Sequence, residues 1–133
     1  MIILDTHALV WMDIGDTALG RTTRRVVQQA WDAHELGVSA ISFWECAMLE
    51  RRERLTLPQS PQAWRAELLA AGLIECPIDG ETAILAANLD WFNKDPADRL
   101  IAATAIRRGA TLVTADAKLL KWKHTLKRHD ATR

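Results

Sequence analysis

Short apolar runs alternate with stretches of helical length along most of the chain, and this alternation predicts an α/β fold: a three-layer α/β/α sandwich around a mainly parallel central sheet. Two observations support it. The runs Ile2-Ile3-Leu4, Val38-Ser39-Ala40-Ile41, Leu73-Ile74-Glu75-Cys76 and Thr111-Leu112-Val113-Thr114 are short and aliphatic, as strands covered on both faces are. The 133 residues, 49% hydrophobic and 26% charged, match one globular domain with a single core, and no linker, repeat or low-complexity segment marks a second.

Taken in order, Ile2-Ile3-Leu4 is a buried strand that ends in a polar turn at Asp5-Thr6-His7, followed by a loop around Gly15 and Asp16. From about Arg21 to Leu36, Val26, Val27, Ala30, Trp31 and Ala33 recur at helical spacing, with Gly37 as the stop. After the second strand, Ser42-Phe43-Trp44-Glu45 opens a helix with a Ser-x-x-Glu capping pattern, and the Arg51-Arg52-Glu53-Arg54 cluster closes it before Pro58. A further helix spans about Pro61 to Ala71 and ends at Gly72. The third strand precedes Pro77 and a helix from about Glu81 to Leu89. Asp95 before Pro96 has the form of a helix N-cap with proline at the first turn, and the small residues up to Arg108 predict a helix packed close to the sheet and stopped by Gly109. The fourth strand then leads into a short helix at Ala115-Asp116.

Net charge is zero, so a nucleic-acid partner would have to be served by a local patch. One stands out. From Asp116 to Arg133 six Lys or Arg residues (Lys118, Lys121, Lys123, Lys127, Arg128, Arg133) face two Asp, a surplus of four, which leaves the first 115 residues at −4. A solvated helix face or a frayed basic tail over about 121–133 would have the same composition. Cys46 and Cys76 lack zinc or redox spacing and suit buried thiols of a reducing compartment. No apolar run is long enough for a signal peptide or membrane span, so the cytoplasm is the expected compartment. Six tryptophans beside no tyrosine suggest core or interface anchors.

In an open parallel sheet the carboxyl ends of the strands form the ligand edge. Four acids fall there: Asp5 after the first strand, Glu45 one turn into the next helix, Asp98 at the start of the helix before the fourth strand, and Asp116 after that strand. Singly each has a local explanation as turn residue, capping-box partner or helix-first-turn acid. Together they would repel one another unless a cation neutralises them or some hold protons. A set of carboxylates without His or Cys suits magnesium or manganese rather than zinc. Such a centre supports phosphodiester hydrolysis, in which a bound divalent ion acidifies a water and neutralises the leaving oxygen.

The segments Ile2 to Trp11, Ser39 to Glu45, Asp95 to Ala105 and Thr111 to Asp116 resemble, in order, the four signature stretches of PIN-domain nucleases, and most of all the VapC-type toxins of toxin–antitoxin pairs. The resemblance runs from Met1 to about Leu120. It implies a Mg2+- or Mn2+-dependent endoribonuclease with Asp5 and Asp98 as core metal ligands and Glu45 and Asp116 completing the pocket, directly or through water. Thr6 and Thr114 would stand beside the ligands, and Arg99 would pair with a carboxylate or a substrate phosphate or lie on the surface; Asp95 is an extra acid whose place before Pro96 suits a helix N-cap more than a metal ligand. His7 is not needed as a base where the metal generates the nucleophile. The Arg51-Arg52-Arg54 cluster is either an RNA track or a solvated face.

A haloacid-dehalogenase-type phosphatase would need an acid two residues after Asp5, where His7 stands. A flap-type DNA nuclease would need more chain, and a silent PIN-like module would have no reason to keep four repelling acids. The implied partners are an RNA substrate, a cognate antitoxin that covers the pocket with Trp11 and Trp44 as anchors, and a second copy in a homodimer.

Overall fold

The computed structural model describes residues 1–133. Five strands, β1 (Ile2–Leu4), β2 (Leu36–Ser39), β3 (Ile74–Cys76), β4 (Thr111–Thr114) and β5 (Arg128–Asp130), form one sheet in the order β3-β2-β1-β4-β5 with every pairing parallel. Seven helices cover it: α1 (Thr6–Ile14), α2 (Arg21–Asp32), α3 (Ile41–Arg51), α4 (Pro61–Ala71), α5 (Gly80–Asn88), α6 (Pro96–Arg108) and α7 (Ala117–Lys121). Alternation along β1 and β4 divides the core. Leu4 and Val113 join the layer with Leu9, Val27, Cys46, Trp64 and Leu68, whereas Ile3 and Leu112 face Ile101, Ala102, Ala105, Leu119 and Trp122. The alanines of α6 are fully buried, so the predicted close approach of that helix to the sheet holds.

Several sequence-based boundaries need correction. The polar turn after β1 is the first turn of α1: Asp5 is its N-cap, and Gly15, at φ 69°, ends it in the left-handed region. The second helix stops at Asp32 instead of Leu36, and Gly37, expected as the stop, lies inside β2. A Cβ there would meet the Ile74 carbonyl at 3.1 Å and Ile3 Cδ1 at 3.2 Å, so the close strand approach, and not a helix end, is what requires glycine. Consequently β2 occupies Leu36–Ser39 rather than 38–41.

The basic end is not a loose tail. Residues 128–130 pair with β4, and Arg128 donates to the carbonyls of Leu119, Trp122, His124 and Leu126, fastening the approach to that strand. No helix is long and apolar enough to cross a membrane.

Candidate active site

Parallel strands all end on the same side, and the first residues of α1, α3, α6 and α7 meet beyond those ends. Asp5 leaves β1 and is buried, 7% exposed. Its Oδ1 accepts from the Thr6 N–H at 2.7 Å, and its Oδ2 accepts from the Thr114 hydroxyl at 2.6 Å. That hydroxyl also accepts from the Asp116 N–H at 3.0 Å, so one threonine at the tip of β4 ties the first acid to the last. Asp116 in turn caps α7 by accepting from the Lys118 N–H at 2.9 Å.

Glu45 is not the reciprocal partner of Ser42 in a capping box. The N-cap of α3 is Ala40 and makes no side-chain cap bond; Glu45 reaches across to Thr6, whose hydroxyl donates to Oε1 at 2.5 Å and stands 3.0 Å from the buried Ser42 hydroxyl. A contact between α1 and α3 thus aims Glu45 at the strand ends. Asp95 caps α6 as expected, accepting from the Asp98 N–H at 3.1 Å. Asp98 itself accepts from Asn93 Nδ2 at 2.9 Å.

Asn93 and the part played by Arg99 escape the sequence. Arg99 neither pairs with a carboxylate nor points to the site. Its guanidinium donates to five carbonyls, those of Ala86, Ala87, Leu89, Trp91 and Asn93, closing the end of α5 and shaping the 89–93 loop. The buried Asn93 at the end of that loop accepts from the Asp95 N–H and donates to Asp98. Asn-x-Asp-Pro is a turn signal that sequence alone offers, but its neighbour Asp98 becomes visible only with the loop closed.

None of the four acids forms an ion pair with Lys, Arg or His. Burial pushes the Asp5 carboxyl above its ordinary range, partly offset by the bonds from Thr114 and Thr6 and by the His7 charge, and the Asp116 charge adds to the rise. Burial also raises Glu45, with the charges of Asp5, Asp98 and Asp95 contributing after the opposing bond from Thr6. Asp98 is pushed up to about 6, first by burial and then, against the Asn93 bond, by Asp95, Asp5 and Asp116. The carboxylates therefore share one field. They do not form a closed cage, since no three His, Cys, Asp or Glu side chains stand near enough to hold an ion as placed. An all-oxygen, loosely spaced acid set fits magnesium or manganese, which retain several waters between carboxylate and ion.

Other residues of interest stand outside the four-acid set. His7 is exposed, and the exposed Arg51, Arg52 and Arg54 follow the far end of α3, a helix of 11 residues or about 16 Å from its start at the acid edge. Burial pushes Cys46 up to about 12, which leaves its thiol inert. A cleft of about 550 Å3 between α1, α2 and α4 is lined by Trp11, Met12, Trp31, Trp64 and Leu68 and contains none of the four acids; Trp44, 55% exposed on α3, does not border it. The four acids thus stand at the strand ends, away from that cleft.

A parallel sheet with acids gathered at the ends of β1 and β4 and the starts of α3 and α6 is the arrangement of one nuclease class. The PIN domain model matches residues 2–124, and the chain belongs to the PIN-domain family. Within it the chain is 36% identical over 124 residues to Ribonuclease VapC22 of Mycobacterium tuberculosis (strain ATCC 25618 / H37Rv), covering 92% of both proteins. Its fold is similar to that of VapBC2 from Rickettsia felis bound to a DNA fragment from their promoter (TM-score 0.69, 18% identity, 97% and 98% of the two chains). It is also similar to a toxin–antitoxin complex from Klebsiella pneumoniae (TM-score 0.60, 20% identity, 92% of each).

Proposed function

We propose that the chain is a divalent-metal-dependent endoribonuclease, the toxin of a VapBC-type toxin–antitoxin pair, and that residues 1–133 act as one nuclease unit. The observation that carries this is the set of four carboxylates in one field with no ion pair to any of them and only the exposed His7 charge nearby. The likeness to a ribonuclease over most of both chains supports the same activity.

Asp5 and Asp98 would hold Mg2+ or Mn2+, with Glu45 and Asp116 completing the site directly or through water. When bound, the ion supplies an acidified water and neutralises charge on the scissile phosphate and leaving oxygen. The chain's own part is positional. Thr114 and the Thr6 N–H fix both oxygens of Asp5, Thr6 Oγ1 fixes Glu45, and Asn93 fixes Asp98, so each carboxylate has a set orientation at the strand ends. Two-fold association would set two acid edges along one groove, and an antitoxin segment would silence the enzyme.

The test is cleavage of single-stranded RNA by purified protein. Activity is expected with magnesium or manganese, lost in EDTA, and lowered at least about 100-fold in a folded Asp5→Asn variant, the scale on which removing one group that stabilises developing charge acts. Wild-type rates from Asp5→Asn, or undiminished cleavage in EDTA, would overturn the assignment.

A further inference from the structure

All five lysines of the chain fall in two places, Lys94 and the run Lys118, Lys121, Lys123, Lys127. Every one is exposed, and none enters an ion pair or a side-chain hydrogen bond. The arginines divide differently: Arg24, Arg65, Arg99, Arg107 and Arg128 are all engaged with carbonyls or acids. The two lysine segments are also joined. Trp91 stacks on Trp122 at 4.7 Å between ring centroids, Trp122 stacks on His124 at 4.2 Å, and Trp122 Nε1 donates to the Asp90 carbonyl at 3.0 Å. The buried Trp91–Trp122 pair sets residues 92–94 beside residues 121–123, at and just past the end of α7, the helix that Asp116 caps. Lys127 falls outside the group, because its carbonyl accepts from Leu112 at the amino end of the sheet.

Next to the buried Trp91 in the chain, Phe92 is 81% exposed, the most exposed large apolar side chain in the protein. It stands between the buried Trp91 and the buried Asn93, whose amide holds Asp98. Arg99 fastens the carbonyls on both sides of it, so the ring is displayed on a rigid loop and not on a loose one. Asp90 and Asp95 are the exposed acids among these residues, against four lysines.

Resting on the ribonuclease reading, we infer that Phe92 with Lys94, Lys118, Lys121 and Lys123 forms the path by which single-stranded RNA leaves the acid edge. One base stacks on Phe92, and the phosphates beyond it run along the lysines. Single-stranded nucleic acid is held by this combination, a sequence-tolerant aromatic platform beside a line of unpaired cations. It also answers an electrostatic difficulty: an acid edge repels RNA, and cations on and after the helix that Asp116 caps bring the strand to it.

The test uses the full-length protein, a short fluorescein-labelled single-stranded RNA of mixed sequence, anisotropy in EDTA, and cleavage kinetics in manganese. Lys121→Ala/Lys123→Ala is expected to raise Kd and KM several-fold, to leave kcat within about twofold, and to flatten the dependence of log Kd on log salt by about 1.4, the contribution of two phosphate contacts to a single strand. Phe92→Ala is expected to weaken binding roughly fivefold or more, and Phe92→Trp to restore it. Arg51→Ala/Arg52→Ala, an equal loss of charge at the far end of α3, controls for general attraction. Equal effects from both double variants, or none from either while wild type still binds and cleaves, would overturn the path and leave the nuclease intact. Lysine variants that keep RNA affinity but lose a co-expressed protein partner would also overturn it, making the ridge a protein-docking surface. A wild type that neither binds nor cleaves RNA would remove both the path and the reading beneath it.

Discussion

Two groups of acids in this protein are treated in opposite ways. Where α5 meets the end of α6, Arg107 bonds Asp79 and Glu81 at 2.6 Å each, and three hydrogen bonds, from the Thr82 N–H, the Thr82 hydroxyl and Arg107, hold the Asp79 carboxyl down to about 2. Glu75 is likewise lowered by Arg65. At the carboxyl ends of the strands, Asp5, Glu45 and Asp98 receive hydroxyl, amide and backbone donors but form no ion pair, and all three are raised in spite of the His7 charge near Asp5. An acid that serves architecture here is given a positive partner or enough donors to keep it charged. The edge acids are oriented and left in mutual repulsion, and that repulsion is the signature of a place where charge is to be supplied from outside.

The largest effect that would sharpen this contrast belongs to an arginine. Removing Arg107 should barely move the melting temperature, since exposed pairs contribute little. Arg99→Ala should cost about 3 kcal/mol, because five carbonyls lose a charge-assisted donor, and should lower manganese affinity through the loosened Asn93. Arg99→Lys should recover little of either, since one ammonium cannot span the five carbonyls. Calorimetric melts and manganese titrations check both; equal, small losses for Arg99→Ala and Arg107→Ala would erase the distinction between fastener and surface pair.

A smaller effect comes from pH. A folded carboxyl raised to about 6 binds more protons than its unfolded counterpart, so stability falls as pH rises from the ordinary carboxylate value to about 6, and the full cost is present above that. In EDTA, wild type should therefore melt higher at pH 5 than at pH 7, relative to Asp98→Asn. Asp79, already held to about 2, adds no slope in this window. Manganese should reverse the trend, since protons and the ion compete for the same oxygens. A pH response identical in wild type and Asp98→Asn would contradict the raised state of Asp98.

These contrasts also explain what was legible beforehand. β1 and β4 are aliphatic runs ending in acids, so the parallel sheet and the placing of Asp5 and Asp116 follow from pattern. The convergence of Glu45 and Asp98 was legible as helix starts, although the bond from Thr6 to Glu45 displaced the expected capping box. α1 was hidden because Asp5 both ends a strand and caps a helix. β5, Arg128-His129-Asp130, has no apolar rhythm; its edge position needs only backbone bonds, among them Ala131 N–H to the Thr114 carbonyl at 2.9 Å. Arg99 acts through loop carbonyls, which no side-chain pattern encodes, and the Asn93 amide reaches Asp98 only once those carbonyls have closed the loop.

The central claim is that the edge acids form one cation site and are not four separate helix caps. Matched melts of wild type and Asp98→Asn, in EDTA and in excess manganese, test it most directly. If the acids share an ion, manganese raises the wild-type melting temperature by mass action. In EDTA, Asp98→Asn is then as stable as wild type or more so, and its rise with manganese is smaller. If Asp98 merely favours the first turn of α6, its loss costs about 0.3–1 kcal/mol with or without metal. A variant destabilised in EDTA with an undiminished response to manganese would contradict the shared site.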